Sequence, residues 1–140
     1  MTLKNIDICD IIILNKQTAD GASDTIEEKA EGSFRQKNGK SYIMYESVEE
    51  GLKTSSTIIA SDSEVKIKRK GLINSEMLCR RNEKTKFTYN LPYGSMEIEV
   101  EAHTIENGFD DDGGRLHMAY TLCIQGEMYY NDMTIIINKR

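Results

Sequence analysis

Apolar and polar residues alternate along most of this chain, the period-two pattern that puts successive side chains on opposite faces of an extended strand. Between Thr25 and Arg35 the odd positions are Thr25, Glu27, Lys29, Glu31, Ser33 and Arg35, while the even positions include Ile26, Ala30, Gly32 and Phe34. The even set is expected to face inward. From Met96 to Thr104 the inward set is Met96, Ile98, Val100, Ala102 and Thr104, against Glu97, Glu99, Glu101 and His103 on the water side. The zigzag continues through Leu116, Met118, Tyr120, Leu122 and Ile124, and in shorter form through Val65 and Ile67, Met77 and Cys79, and Phe87, Tyr89 and Leu91.

Turn signals separate these runs: Asn38-Gly39, Ser61-Asp62-Ser63, Lys70-Gly71, Arg81 to Lys84, Asn107-Gly108, Gly113-Gly114 and Gln125-Gly126. Asn-Gly and Gly-Gly accept the positive φ of tight hairpins, so neighbouring runs should pair antiparallel as a meander. Only Glu46 to Lys53 has a composition suited to a helical turn, kept short by Gly51. Long strands in an open sheet would leave edges unpaired, and closure removes them. The pattern therefore predicts an all-β, closed or nearly closed antiparallel meander barrel of eight to ten strands. The single proline, Pro92, sits between Leu91 and Tyr93-Gly94, where one inward-facing run ends and the next begins. Lacking an N–H, it marks a corner between two strands.

The 140 residues suit one domain spanning 1–140, with a single core. No apolar run approaches the roughly 18 residues of a membrane helix, and the first ten residues lack a leader-like pattern. A cytoplasmic address with no membrane association is expected. Cys9, Cys79 and Cys123 are odd in number and never form a C-x-x-C pair, which argues against a disulfide framework and a structural zinc site. A net charge of −5 disfavours nucleic acid, and the one basic cluster, Lys66 to Lys70, alternates with apolar residues.

The segments "FTYNLPYGSMEIEVEAHTIENG", "GGRLHMAYTLCIQGE" and "MTIIINKR", with "AEGSFRQKNGKSYIMYE" and "VKIKRKG" before them, resemble the YwiB-like family. The resemblance spans nearly the whole chain and is strongest from Phe87 to Gly94. These are small bacterial proteins without an established function, and the resemblance implies a lipocalin-like (calycin-type) β-barrel, not an activity. Where the family more commonly has threonine before the proline, this chain has Leu91, which keeps the corner and offers no hydroxyl there.

Two charges fall on inward faces: Glu28, between Ile26 and Ala30, and Arg69, after Val65 and Ile67. A buried charge must be paired, hydrated or ligand-bound. One reading is structural: an Arg69–Glu28 salt bridge, or Arg69 at a strand end in solvent. The other is a site. In lipocalin-like barrels an interior arginine with tyrosine hydroxyls can hold the anionic head of an apolar ligand. Arg69 and Glu28 with Tyr42, Tyr89 and Tyr120 would form such a site here, and Met44, Met77, Met96 and Met118 would supply an adaptable lining.

The acidic turn Asp110-Asp111-Asp112 lacks the ligand spacing of a calcium loop. His103 and His117, opposite each other if the hairpin centres near Asp110, would face solvent with no cysteine or supporting partner identifiable beside them. No metal and no cofactor is expected, and no nucleophile–base pair is apparent. The expected function is binding of a small apolar or anionic molecule in the lumen. The alternative is a fully packed barrel acting through its surface or as a homodimer, with Ile135 to Ile137 covered. A third class, catalysis with Glu28 as base, rests on that carboxylate alone.

Overall fold

The computed structural model describes residues 7–140, and every regular element in them is a β-strand. In chain order these are β1 (Asp7–Ala19), β2 (Ala22–Lys37), β3 (Lys40–Glu49), β4 (Leu52–Ala60), β5 (Glu64–Gly71), β6 (Ser75–Arg80), β7 (Lys84–Leu91), β8 (Gly94–Asp110), β9 (Gly113–Ile124) and β10 (Glu127–Lys139). The sheet order is β6-β5-β4-β3-β2-β1-β10-β9-β8-β7. The first and last strands pair antiparallel from Cys9 opposite Lys139 to Thr18 opposite Tyr130. Joining the chain ends in this way leaves the sheet's two edges in mid-chain, at β6 and β7.

Those edges meet and nearly close the barrel. Asn74 and Asn90 exchange backbone hydrogen bonds of 2.9 Å in each direction. Thr85 Oγ1 donates to the Leu78 carbonyl at 2.5 Å, and the Asn82 N–H donates to the Ala102 carbonyl at 2.7 Å.

A meander gathers alternate hairpins at opposite ends, and the two ends of this barrel differ. Toward the β2–β3, β4–β5, β6–β7 and β8–β9 turns the interior is solid: Ile11, Phe34, Ile43, Ile58, Val65, Leu116, Met118 and Ile135 are each at most 1% exposed. Burying side chains of this size contributes about 1.5–3 kcal/mol apiece. Phe34 and Phe109 meet edge to face there, with centroids 5.6 Å apart. Arg81 Nη2 ties this end together by donating to the carbonyls of Asp62 (3.0 Å) and Ile105 (2.9 Å). Toward the other turns the inward residues become polar on several strands, and the interior opens.

The fold departs from the sequence pattern in several places. Residues 46–53 form no helix; they are the β3–β4 hairpin, where Glu50 and Gly51 have φ of 52° and 79°. A helix would have required another layer to pack against, whereas Val48 opposite Lys53 and Glu49 opposite Leu52 extend the ladder. Asn107-Gly108 is not a turn: β8 runs through it, and the chain reverses at Asp111-Asp112. Finally, a register shift between Ala102 and Thr104 inserts His103 as a bulge, so Ile105, 4% exposed, takes the inward place expected of Thr104. The expectation about a leader falls partly on residues 1–6, outside the described residues.

Candidate functional site

On β1 the inward series Cys9, Ile11, Ile13 continues into Asn15 and Gln17, and on β10 Ile137, Ile135, Met133 leads to Asn131. On β2, Phe34, Gly32 and Ala30 give way to Glu28; on β5, Val65 and Ile67 give way to Arg69. Each strand changes from apolar to polar toward the same end of the barrel. Strands β6 to β9 stay mostly apolar, presenting Met77, Phe87, Tyr89, Met96, Ile98, Leu122 and Ile124. Between the two walls lies a cavity of about 410 Å³ that also touches Tyr120, with Ile26, 62% exposed, beside it. The lumen is thus packed at one end and hollow at the other.

Arg69 and Glu28 both line this cavity but form no ion pair, with each other or elsewhere, among the described residues. Tyr45 stands between them. Its hydroxyl donates to Glu28 Oε1 at 3.2 Å, and it interacts with Ser56 and with the charge of Arg69. Burial pushes the Tyr45 phenol up, Glu28 pushes it further, and Arg69 offsets part of the rise. Tyr120 is 4% exposed. Its phenol is raised chiefly by burial, with a further contribution from Cys79, and Arg69 again opposes the shift. The Arg69 charge therefore acts on two phenols, with no carboxylate paired to it among the described residues.

Gly32 makes this arrangement possible. It lies opposite both Tyr45 on β3 and Cys9 on β1. A Cβ there would come 2.9 Å from Tyr45 Cβ and 2.8 Å from Ile11 Cδ1, and closer still to the Met44 carbonyl oxygen. The missing side chain provides the room in which Tyr45 packs.

Amide groups extend the polar wall. Asn131, 4% exposed, accepts at Oδ1 from Asn15 Nδ2 and from Gln17 Nε2, both at 3.1 Å, and donates through Nδ2 to the Tyr129 carbonyl. Asn15 Oδ1 is buried without a donor among the described residues.

Of the residues singled out from the sequence, Arg69, Glu28, Tyr89 and Tyr120 come together at this cavity. Tyr42 does not: the buried positions of β3 are Ser41, Ile43 and Tyr45, which places Tyr42 on the outer face. Met44 is likewise outside and 53% exposed, Met77 and Met96 line the cavity, and Met118 is buried at 0% in the solid half. The sequence reading missed Tyr45, Asn15, Gln17 and Asn131. The last three stand in phase with the aliphatic runs of their strands, so extending those alternations into polar residues would have found them.

The two histidines are not opposite each other. The bulge sets His103 beside Thr121, with Nε2 and Oγ1 2.6 Å apart. His117 lies between Glu106 and Asp132 at 2.8 and 2.7 Å. Both His117 nitrogens are thereby occupied, and the Glu106 hydrogen bond is the main cause of its raised pKa.

Architecture and cavity together define a nearly closed, ten-stranded antiparallel β-barrel with a charged, half-open lumen. Residues 11–137 match the model of DUF1934, a domain of unknown function, and the chain belongs to that family. It is 25% identical over 117 residues, 83% of this chain and 82% of the relative, to the uncharacterized beta-barrel protein YwiB of Bacillus subtilis (strain 168). The crystal structure of the ywiB protein from Bacillus subtilis superposes with a TM-score of 0.89 at 21% identity, covering 98% of this chain and 94% of that one, a likeness of fold. Among the described residues no helix is long and apolar enough to cross a membrane.

Proposed function

We propose that this barrel is a binding module that takes a small, partly apolar, anionic molecule into its lumen, with Arg69 as the anchor. The observation that carries this reading is a guanidinium lining a cavity of about 410 Å³ with no ion-pair partner among the described residues. A guanidinium fork matches a carboxylate in two parallel hydrogen bonds, and the pairing strengthens where water is excluded. The hydroxyls of Tyr45 and Tyr120 lie within its electrostatic reach. The apolar wall from β6 to β9 would receive the rest of the molecule, Met77 and Met96 adjusting to its shape. The volume lies toward the small end of the roughly 300–1,000 Å³ of ligand cavities.

Native mass spectrometry of the purified protein and thermal shift against fatty acids and aromatic acids test the reading. Stabilisation by at least one acid, lost in a folded Arg69→Met variant, is expected. The absence of any retained ligand and any shift across the panel would defeat it.

A further inference from the structure

An anionic ligand accounts for Arg69 but leaves Glu28 facing the same cavity as a second, opposite charge. Its only hydrogen bond shown among the described residues is the one from Tyr45, at 3.2 Å, and a carboxylate can accept several. Asn15 lines the same wall. It stands on β1 opposite Ile26, one inward step from Ile13, which is opposite Glu28, so Asn15 and Glu28 are diagonal neighbours on one face. Its carbonyl oxygen is buried without a donor among the described residues, an unfavourable state for a polar atom. Glu28 and the Asn15 oxygen thus have accepting capacity to spare on the β1–β2 wall, and the cation that would ordinarily neutralise Glu28 stands three strands further on, on β5, with β3 and β4 between.

Resting on the anion-binding reading, we infer that the ligand is a zwitterion or its near equivalent: an apolar molecule carrying an anionic group for Arg69 and a cationic amino group for Glu28 and Asn15. An ammonium offers three donors, enough for a carboxylate oxygen and an amide oxygen together. Strands β3 and β4, the first carrying Tyr45 with its hydrogen bond to Glu28, separate the two poles in the sheet. A molecule with one pole leaves the other charge uncompensated in a partly desolvated site, and this penalty is the source of discrimination. Apolar α-amino acids and short ω-amino acids both carry these two groups, at different spacings and with the apolar part placed differently.

Calorimetric titration of the full chain tests it with leucine, methionine, phenylalanine and 5-aminovalerate, each beside its acid-only and amine-only counterpart (for phenylalanine, 3-phenylpropionate and 2-phenylethylamine). At least one zwitterion should bind about tenfold or more tighter than both counterparts. Glu28→Gln, which keeps an acceptor for Tyr45, should reduce that binding to the level of the acid and leave the acid unchanged, while Arg69→Met weakens both. An acid that binds as well as its zwitterion, with Glu28→Gln affecting neither, overturns the zwitterion and preserves the anion site. If no member of the panel binds folded protein, the zwitterion is overturned as well, and the acid panel of the preceding section then decides the anion site separately.

Discussion

The Tyr45 hydroxyl on β3 donates to Glu28 on β2 at 3.2 Å, and β3 with β4 separates Glu28 in the sheet from the β5 strand that carries Arg69, the other charge in the lumen. The two charges are thus held in one cavity without collapsing into an ion pair. A direct salt bridge would have left little for a ligand to compensate.

Removing that hydroxyl should be felt. Tyr45→Phe leaves Glu28 without its side-chain donor and should lower stability by about 1 kcal/mol, read as a lower midpoint in urea. Tyr42→Phe, on the outer face, should leave the midpoint unchanged. Equal effects of the two substitutions would contradict the arrangement.

Gly32→Ala should be among the most damaging single-methyl additions in the protein. The new Cβ would overlap a backbone carbonyl as well as the Ile11 and Tyr45 side chains. Overpacking of this kind costs about 1–3 kcal/mol. Chemical denaturation measures it, and a variant as stable as the parent would show that the β2–β3 contact is looser than described.

His117 provides a pH dependence whose sign is fixed. Its folded pKa is raised above 6.5, first by the Glu106 hydrogen bond and then by Asp132, against a lowering from burial. A group raised on folding contributes stability that is complete below the unfolded value and is lost as pH rises through the folded one. The stability difference between the parent and His117→Asn should therefore shrink as pH is raised from 6 through the folded value. Its size should stay below about 1 kcal/mol because the carboxylates are solvent-exposed. An NMR titration placing His117 at or below 6.5 would remove the basis of this expectation.

The cysteines should differ in reactivity. Burial alone pushes the Cys79 thiol up to about 12, whereas Cys123 is only partly buried. Since the thiolate is the nucleophile, a thiol reagent at pH 8 should modify Cys123 before Cys79, and Cys79 should react at the rate of unfolding. Peptide mapping of the labelled protein distinguishes the two, and early labelling of Cys79 in native protein would show that the β6 region opens.

Ile135, Ile136 and Ile137 illustrate how a readable pattern can still be ambiguous. Ile135 and Ile137 are buried in the core at 0% and 1% exposure, while Ile136 faces outward, opposite Ile12 on β1. The run that suggested a strand covered on both faces reduces on its outer side to a half-buried cross-strand pair, and light scattering would tell whether a second copy covers it. On β3 the ambiguity went the other way. Ser41 to Tyr45 carries aromatic and apolar residues in both phases, so the alternation alone did not choose between Tyr42 and Tyr45.

What the amino-acid order determined by itself was local: extended strands, most of their inward faces, most turns, and the presence of Glu28 and Arg69 on those faces. Period-two patterning and turn chemistry act between near neighbours, so these features are written where they occur. Only the tertiary structure decided that the sheet's edges meet in mid-chain at β6 and β7, that the turn at Asp111-Asp112 sets His117 opposite Glu106 and away from His103, that Gly32 makes room for Tyr45, and that one end of the barrel is solid and the other hollow. These depend on stagger and curvature summed over ten strands, and the same inward side chains can fill a core or line a cavity according to how far apart the opposing walls come to rest.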